Sequence, residues 1–343
     1  MADSVAYACQ EISIPLGDGD VCLSGTMTIP EHTGKETKVA ILVSPPQVEK
    51  RDYFGVFSSL SDELSRNGVA VLRFDNRTFD PATTSMHTHA KDVESVVAFV
   101  RKQEEFRNAR IGLVGHSEGG CVAMIVAARS SDVNFLIFLS TVGINGKEHS
   151  LRAMKEGIKH FLALASSTKI LVPSTKIANR DKIANRVVHA YSIYADIVNQ
   201  ESDTSIIKQR MKDEYLRQEY EQDKPRISFE EYCQQIYKQD LQPWTMAMFR
   251  FKPNDYLPKI QVPVLAVCGS RDWKVPAKDN LKGLKKGLAK GGNKQVKTVI
   301  IKDMNHDYEI VDKSHDYDAH TPHSLTPQKP KKLNIAPGVW PIM

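Results

Sequence analysis

The sequence predicts an α/β fold in which a mostly parallel sheet is flanked by helices. Short, continuously apolar runs recur along the chain, as in strands that are covered on both faces. Segments with apolar residues at helical spacing lie between these runs, and this alternation is typical of parallel βαβ units. A long charged segment interrupts the alternation, which indicates a helical insertion. The length of 343 residues alone allows one large domain or two smaller ones.

The first six strands are predicted between residues 10 and 139. Two strands, 10–15 and 21–29, flank the segment Gly-Asp-Gly-Asp at 17–20, a hairpin signal that predicts an antiparallel edge. The next four strands are predicted at 38–44, 69–74, 110–114 and 133–139. Helices between them are indicated by apolar residues at helical spacing, namely Val56, Phe57, Leu60 and Leu64, then Val93, Val96, Val97 and Val100, and by the buried run 117–129.

The middle of the chain, 144–250, contains no convincing buried strand and is rich in Tyr, Gln, Lys and Glu. Ser228 and Glu231 fit a capping box that opens one of its helices. The sheet pattern resumes with a strand at 262–268, a helix at 277–289 and a last strand at 296–302. We therefore predict a core of 1–143 and 251–312, a helical cap insertion of 144–250 over the carboxyl edge of the sheet, and a proline-rich tail of 313–343.

The composition argues against several classes of protein. The 46 basic and 41 acidic residues give a net charge of +5 that is dispersed, so a nucleic-acid partner is not expected. No apolar run approaches the roughly 20 residues of a membrane helix, and the first residues do not resemble a secretory signal. The five cysteines do not have metal-ligand spacing, which predicts no metal, no cofactor and a cytoplasmic location. They are Cys9, Cys22, Cys121, Cys233 and Cys268.

The strongest local motif is Gly-His-Ser-Glu-Gly-Gly at 115–120, which fits G-x-S-x-G. It lies between a predicted buried strand and a predicted buried helix, the context of a nucleophile elbow. Such a turn raises the serine hydroxyl above the sheet edge, and the following helix directs its N-terminal amides at a developing oxyanion. The alternative is a chance pentapeptide in a glycine-containing loop. We therefore predict that Ser117 is the nucleophile.

A serine hydroxyl needs a base, and in this architecture the acid and then the histidine follow the serine in the chain. Asp272 follows the next-to-last strand, although it can also be read as a turn or N-cap residue. His306 follows the last strand, and the alternative for it is a surface loop histidine. His116 is interpreted as structural, with its side chain directed away from the site. The later histidines rank lower because they lie in the proline-rich tail; they are His315, His320 and His323.

With these residues the sequence resembles the α/β-hydrolase superfamily, and more narrowly the bacterial serine carboxylesterases that carry Gly-His-Ser-Glu-Gly-Gly. The resemblance covers roughly 20–310. It includes Phe-Asp-Asn-Arg at 74–77, the segments 92–96 and 243–276, and Gly-Gly-Asn-Lys at 291–294. It implies an eight-stranded α/β-hydrolase fold and cleavage of a small-molecule ester or thioester through an acyl-enzyme.

The turn after the third strand departs from the pattern of these relatives. They usually have a glycine-rich turn whose backbone N–H supports the oxyanion, whereas this chain has Ser-Pro-Pro-Gln at 44–47. Proline has no N–H to donate, and losing one donor typically costs about 10²–10³ in rate. We predict the Gln47 N–H as one donor, with Ser44 as the alternative, and the Glu118 N–H as the other. Arg77 is predicted to bond backbone carbonyls.

Substrate and assembly are left open by the sequence. The insertion supplies candidate lining residues that can equally be plain core: Met154, Phe161, Leu162, Tyr191, Tyr194, Trp244, Met246, Met248 and Phe249. A basic run between Lys147 and Arg186 can attract an anionic substrate or be a solvated helix face. The competing functions are an acyl transferase or thioesterase with the same triad, a peptidase, and a non-catalytic binding protein. The relatives end with a helix that covers the sheet, and in this chain either the tail, lying flat, or the partner subunit of a homo-oligomer can take its place.

Overall fold

The computed structural model describes residues 6–17, 21–31, 37–167 and 180–311. The predicted tail of 313–343, with its three histidines, lies outside the described residues, as do the last three residues of the predicted hairpin turn at 17–20.

A single eight-stranded sheet forms the centre of the fold, in the order β1-β2-β4-β3-β5-β6-β7-β8. The five pairings from β4 through β3 to β8 are parallel, whereas β1 pairs β2 and β2 pairs β4 in antiparallel register. This confirms the predicted mostly parallel sheet with an antiparallel edge. The strands are β1 Tyr7–Pro15, β2 Cys22–Pro30, β3 Lys38–Val43, β4 Val69–Phe74, β5 Arg110–His116, β6 Val133–Leu139, β7 Val264–Gly269 and β8 Val296–Ile301.

The central strands are buried because helices cover both faces of the sheet. β3 and β4 each leave only one residue incompletely buried, and β7 is buried throughout. Continuous apolar sequence is the expected consequence of such two-sided cover. β5 continues two residues beyond the predicted end at 114, because Gly115 and His116 still pair with β6. The strand therefore leads directly into residue 117.

The helices described in the structure fall at the predicted places. α1 ends at Asn67 and Gly68, where Gly68 adopts a φ of 79° that suits a residue without Cβ. The predicted capping box is present, since Ser228 and Glu231 each bond the other's backbone. The helices are α1 Val56–Arg66, α2 Met86–Lys102, α3 Glu118–Ala127, α4 Gly146–Ser167, α5 Arg180–Gln200, α6 Thr204–Arg210, α7 Arg217–Asp223, α8 Phe229–Asp240, α9 Pro243–Arg250 and α10 Ala277–Lys290.

The contacts divide the chain into two compact units. The first holds the sheet and takes residues up to Phe79, Met86–Gly143 and those from Pro253 onward. One face of its sheet packs through Phe57, Leu60, Val71 and Val267. The second unit takes Ile144–Lys252 together with the short segment Asp80–Ser85. That segment joins it through a bond from the Trp244 N–H to the Pro81 carbonyl, at 3.3 Å.

The second unit has a hydrophobic core of its own, built largely from aromatic side chains. Tyr194 is completely buried there and packs edge-on against Phe249, with ring centroids 5.3 Å apart. Its hydroxyl donates to the Asp240 carbonyl at 2.8 Å, so the one polar atom of this buried ring is satisfied. A π-helical turn over Met211–Leu216 joins α6 to α7.

All five cysteines are free thiols, and they divide into two groups by exposure. Cys9 and Cys22 are exposed on β1 and β2, whereas Cys121, Cys233 and Cys268 are buried. Burial raises the pKa of the buried thiols Cys121 and Cys268, which disfavours their reactive thiolates. In the described part of the chain, no helix has the length and apolar character needed to cross a membrane.

Candidate active site

Ser117 lies in a sharp turn between β5 and α3. Its backbone has φ 53° and ψ −121°, a positive φ that is uncommon for a residue other than glycine. The turn is held by the Ser117 N–H, which donates to the Leu139 carbonyl at 2.8 Å, and by the Gly120 N–H, which donates to the Ser117 carbonyl at 3.1 Å. A strained strand-to-helix turn of this kind is the geometry of a nucleophile elbow.

The glycines of the motif are required by close packing around this turn. A Cβ on Gly119 would lie 2.1 Å from the Val43 carbonyl oxygen of β3, and one on Gly115 would lie 2.5 Å from the Cα of Gly120. A Cβ on Gly120 would lie 1.9 Å from the Thr141 hydroxyl. No side chain fits at these three positions, so the start of α3 lies directly against the ends of β3 and β6.

Asp272 and His306 form a buried hydrogen-bonded pair. Asp272 follows β7, His306 follows β8, and the Asp272 Oδ2 lies 2.9 Å from the His306 Nδ1. The other oxygen of Asp272 accepts a bond from the Val275 N–H at 2.7 Å, which fixes the orientation of the carboxylate. The side chains are 0% and 5% exposed, respectively. The structure thus brings the two predicted residues together with the imidazole Nε2 left for another partner.

The pKa values of the pair shift in opposite directions. Burial alone would raise the pKa of Asp272, but the adjacent His306 imidazole and the Val275 N–H bring it below its usual value. Burial alone would lower the pKa of His306, and the Asp272 carboxylate raises it above its usual value. The aspartate therefore stays ionised and stabilises a proton on the imidazole.

No hydrogen bond joins the Ser117 hydroxyl to His306, both of which lie in the described part of the chain. Ser117 is half-buried at the end of β5. The structure thus links two of the three predicted catalytic residues directly, and it places Ser117 after β5 in the same parallel sheet. In enzymes without substrate, catalytic hydrogen bonds are often long and close only in the substrate complex.

His116 differs from its prediction. Its ring was expected to point away from the site, but its centroid lies 4.8 Å from that of His306. Its Nε2 lies 3.0 Å from the His306 carbonyl, an acceptor, so this nitrogen carries the proton and donates. Complete burial lowers the pKa of His116 to about 3, and the ring stays neutral. His116 is therefore a buried support for the loop that carries His306.

The turn at 44–48 offers one unengaged backbone amide near its tip. Pro45 and Pro46 have no N–H, and the Val48 N–H closes the turn by donating to the Pro45 carbonyl at 2.9 Å. Within the described residues, the Gln47 N–H donates to no other protein group. Glu118 is the first residue of α3, where a helical N–H has no intrahelical acceptor.

The side chains of these two residues are also joined. The Gln47 Nε2 donates to the Glu118 Oε2 at 2.7 Å, across the gap between the turn and the elbow. Desolvation raises the pKa of the Glu118 carboxyl to about 7, although the bond from Gln47 acts in the opposite direction. A carboxyl group with a pKa of about 7 therefore links the first residue of α3 to the turn at 44–48.

Asn76, in the segment Asp75–Arg77 after β4, contacts this turn, a role that was not predicted from the sequence. Asp75 accepts two guanidinium bonds from Arg51, at 3.2 and 3.0 Å. Asn76 is buried and bonds the turn at 44–48. Arg77 forms a bidentate ion pair with Asp92 in which both bonds measure 2.9 Å, and its bonds to backbone carbonyls remain a prediction. The available signal was a polar run directly after a buried strand.

The predicted lining residues of the insertion are found mainly in the core of the second unit. That core contains Tyr191, Tyr194, Met246 and Phe249. Trp244 is buried, Met154 and Met248 are half-buried, and Phe161 and Leu162 lie in α4 with side chains outside the description. In the basic run, Lys147 pairs with Asp196, Arg152 with Glu148, and Lys159 with Glu156 and Asp181. The described residues contain no group of three or more His, Cys, Asp or Glu that could hold a metal ion.

The structure combines a serine in a strand-turn-helix elbow with a buried aspartate–histidine pair that follows two strands of the same parallel sheet. This combination is typical of α/β proteins with a hydrolase fold. The chain belongs to the α/β-hydrolase fold family, whose model matches residues 52–308. The match includes the elbow, Asp272 and His306, and it begins after the turn at 44–48. No curated protein sequence matches the chain.

Solved structures with a similar fold have little sequence in common with this chain. The proline iminopeptidase of Mycobacterium smegmatis is 14% identical, with a TM-score of 0.51 over 87% of this chain and 92% of the other. The Pyrococcus furiosus esterase Pf2001 is 13% identical, with a TM-score of 0.48 over 88% and 83%. Est1E from Butyrivibrio proteoclasticus is 16% identical, with a TM-score of 0.48 over 87% and 91%. At these identities the comparison concerns the fold alone.

Proposed function

We propose that this protein is a serine hydrolase that cleaves a carboxylic ester through Ser117, His306 and Asp272. The observation that carries the proposal is the buried Asp272–His306 bond of 2.9 Å in the sheet that also presents the Ser117 elbow. A buried aspartate that bonds one imidazole nitrogen orients the ring, and it stabilises the imidazolium that forms when the other nitrogen accepts a proton. The family of the chain and its fold agree with hydrolytic chemistry.

The first half of the proposed reaction forms an acyl-enzyme. As the Ser117 oxygen attacks the ester carbonyl, its proton passes to the Nε2 of His306, and the carbonyl becomes an oxyanion. Asp272 holds the Nδ1 proton and stabilises the imidazolium that results. The imidazolium then protonates the alkoxide of the leaving group, and the C–O bond of the ester breaks. General acid–base assistance of this kind contributes about 10²–10⁴ in rate.

Water completes the cycle. A water molecule takes the place of the released alcohol and gives a proton to His306 as it attacks the acyl carbon. The second oxyanion collapses, Ser117 recovers its proton from His306, and the carboxylic acid leaves. The site thus needs two oxyanion donors twice per turnover, and we assign this role to the Gln47 and Glu118 backbone amides.

The diproline turn was the ground for the competing interpretation as a non-catalytic binding protein. The structure offers less support for that interpretation, because Gln47, the residue after the two prolines, has an N–H that donates to no described protein group. The Glu118 N–H stands at the start of α3, where the helix dipole adds favourable potential for a negative charge. These two unengaged amides support the catalytic interpretation.

A fluorophosphonate probe tests the nucleophile. We expect covalent labelling at Ser117 and hydrolysis of short-chain p-nitrophenyl esters, with both lost in Ser117→Ala. Ser95→Ala is the matched control, because the Ser95 hydroxyl bonds the Lys91 carbonyl of its own helix, and it should label like the wild type. Labelling that persists in Ser117→Ala would exclude this nucleophile. Free acid as the sole product in the presence of alcohols and amines would exclude the transferase alternative.

A further inference from the structure

Asn76 makes an unusual set of contacts for a residue that lies outside the proposed triad. It follows the end of β4 by two residues and is 9% exposed. Its Nδ2 lies 2.9 Å from the Ser44 hydroxyl, 3.0 Å from the Pro45 carbonyl and 2.9 Å from the Val48 carbonyl. The two carbonyls can only accept, so they fix which end of the amide is the nitrogen. All three contacts fall on the turn at 44–48.

This turn has few donors of its own. Pro45 and Pro46 contribute carbonyls without N–H groups, and the one N–H that closes the turn is that of Val48. Within the turn, the Pro45 carbonyl accepts the Val48 N–H, and the Val48 carbonyl lies 3.5 Å from the Ser44 hydroxyl. Asn76 adds a donor from another element to both carbonyls. Its backbone N–H also donates to the Glu49 carbonyl at 2.8 Å, which anchors Asn76 to the same loop.

The acceptors stand on both sides of Gln47. The Pro45 carbonyl lies two residues before it and the Val48 carbonyl one residue after it, so one amide group holds both ends of the short segment that carries the Gln47 N–H. On the opposite side, the close approach of Gly119 to the Val43 carbonyl sets how near the turn comes to the elbow.

We propose that Asn76 is a positioning residue that orients the Gln47 N–H toward the developing oxyanion. The inference rests on the proposed function, because it assigns a purpose to the turn only if Ser117 reacts. Asn76 touches no reacting atom and acts through the 44–48 turn. Oxyanion donors lower the barrier only when they are already aimed at the charge, and a displacement of about 1 Å in a positioned group can cost about 10²-fold in rate.

The test is Asn76→Asp, which keeps the shape of the side chain and replaces the donating nitrogen with an oxygen. We expect kcat for a p-nitrophenyl ester to fall about 10- to 100-fold while KM changes less than about threefold. Affinity for a trifluoromethyl ketone, which forms a tetrahedral adduct with serine, should fall in parallel with kcat. Asn76→Ala removes the donor without adding a charge and should show the same division between kcat and KM.

Asn293→Asp is the matched control. Asn293 is 6% exposed, and its Nδ2 donates to two backbone carbonyls, those of Ile260 at 3.0 Å and Val262 at 2.8 Å. The same chemical change should therefore lower the melting temperature to a similar extent but leave kcat within about twofold of the wild type. This comparison distinguishes the general effect of losing a buried side-chain donor from the specific effect of displacing the turn at 44–48.

Equal kcat values for Asn76→Asp and Asn293→Asp would overturn the inference, as would a loss at Asn76 that appears in KM and not in ketone affinity. Failure of the proposed function has a different signature. In that case the wild type itself shows neither Ser117 labelling nor ester turnover, and the role of Asn76 is rejected with it.

Discussion

Glu118 follows the proposed nucleophile, and its carboxyl group belongs to the same residue as one of the two amides that are proposed to bind an oxyanion. Desolvation raises its pKa to about 7, although a hydrogen bond from the neutral Gln47 side-chain amide acts in the opposite direction. A protonated Glu118 adds no charge near the oxyanion, whereas an ionised one repels it. The ionisation state of this side chain should therefore affect the rate.

The residue-scale prediction concerns the pH dependence of turnover. As the pH rises through about 7, Glu118 loses its proton and the wild-type kcat should fall relative to that of Glu118→Gln, which stays neutral and can still accept from Gln47. The ratio of variant to wild-type kcat should thus rise between pH 6 and pH 8. Glu63→Gln, at an exposed position on α1, should give a constant ratio. A constant ratio for Glu118→Gln would contradict the prediction.

At the scale of elements, the strand-elbow-helix unit explains why the site was largely predictable. Strand β5 has a buried apolar pattern, α3 follows without a linker, and the three glycines fill positions where a Cβ would collide. A local motif with such strict steric demands leaves a clear trace in the sequence. The elbow is therefore the element in which sequence and geometry agree most directly.

Gly119→Ala tests this element. Its new Cβ would lie 2.1 Å from the Val43 carbonyl oxygen, and because that atom is backbone of β3, either the strand or the helix has to shift. We expect a loss of about 2 kcal/mol or more in the free energy of unfolding by urea, together with loss of ester turnover. Gly17→Ala is the control, since its nearest neighbour would be the Ser95 hydroxyl at 3.9 Å, and it should change stability by less than about 0.5 kcal/mol. Equal stability of the two variants would contradict the steric argument.

Other parts of the site could not be predicted from the sequence, for physical reasons. The buried contact between His116 and the His306 carbonyl joins residues 190 positions apart, and no periodicity records it. The roles of Asn76 and Arg77 depend on which loop faces them, and a side-chain amide or guanidinium fits many acceptors. The ion pair of Arg77 with the Asp92 carboxylate on α2 was not predicted, because it depends on which side chain lies opposite the guanidinium.

At the scale of the whole molecule, the chain divides into a sheet-bearing unit and a helical unit. All the residues proposed to take part in the chemistry lie in the first, although they come from segments as distant as 47 and 306. The sheet brings them together because the carboxyl ends of its parallel strands share one edge. The helical unit has its own aromatic core, which accounts for the break in the strand pattern between 144 and 250.

Acid stability of the whole molecule should depend on His116. In the unfolded chain this histidine takes up a proton below about pH 6.5, whereas in the folded protein burial delays protonation to about pH 3. The contribution of His116 to the free energy of unfolding is therefore complete above about pH 6.5 and decreases as the pH falls. His116→Gln keeps a donor for the His306 carbonyl without this titration.

The measurement is urea unfolding of wild type and His116→Gln at several pH values. The stability advantage of the wild type should shrink by up to about 1.4 kcal/mol for each unit below pH 6.5. His189→Gln, at an exposed position on α5, should show no such trend. A difference between wild type and His116→Gln that is independent of pH would mean that the ring is protonated equally in both states.

The distribution of the thiols gives this protein two defined positions for covalent attachment to a surface or a label. Cys9 and Cys22 face solvent on the edge hairpin, and the other three are enclosed. Strand β1 is four places from β5, which at about 4.8 Å per strand corresponds to about 19 Å. A maleimide-coated bead or a fluorophore would therefore couple at these two thiols, in the antiparallel part of the sheet, without any engineered tag.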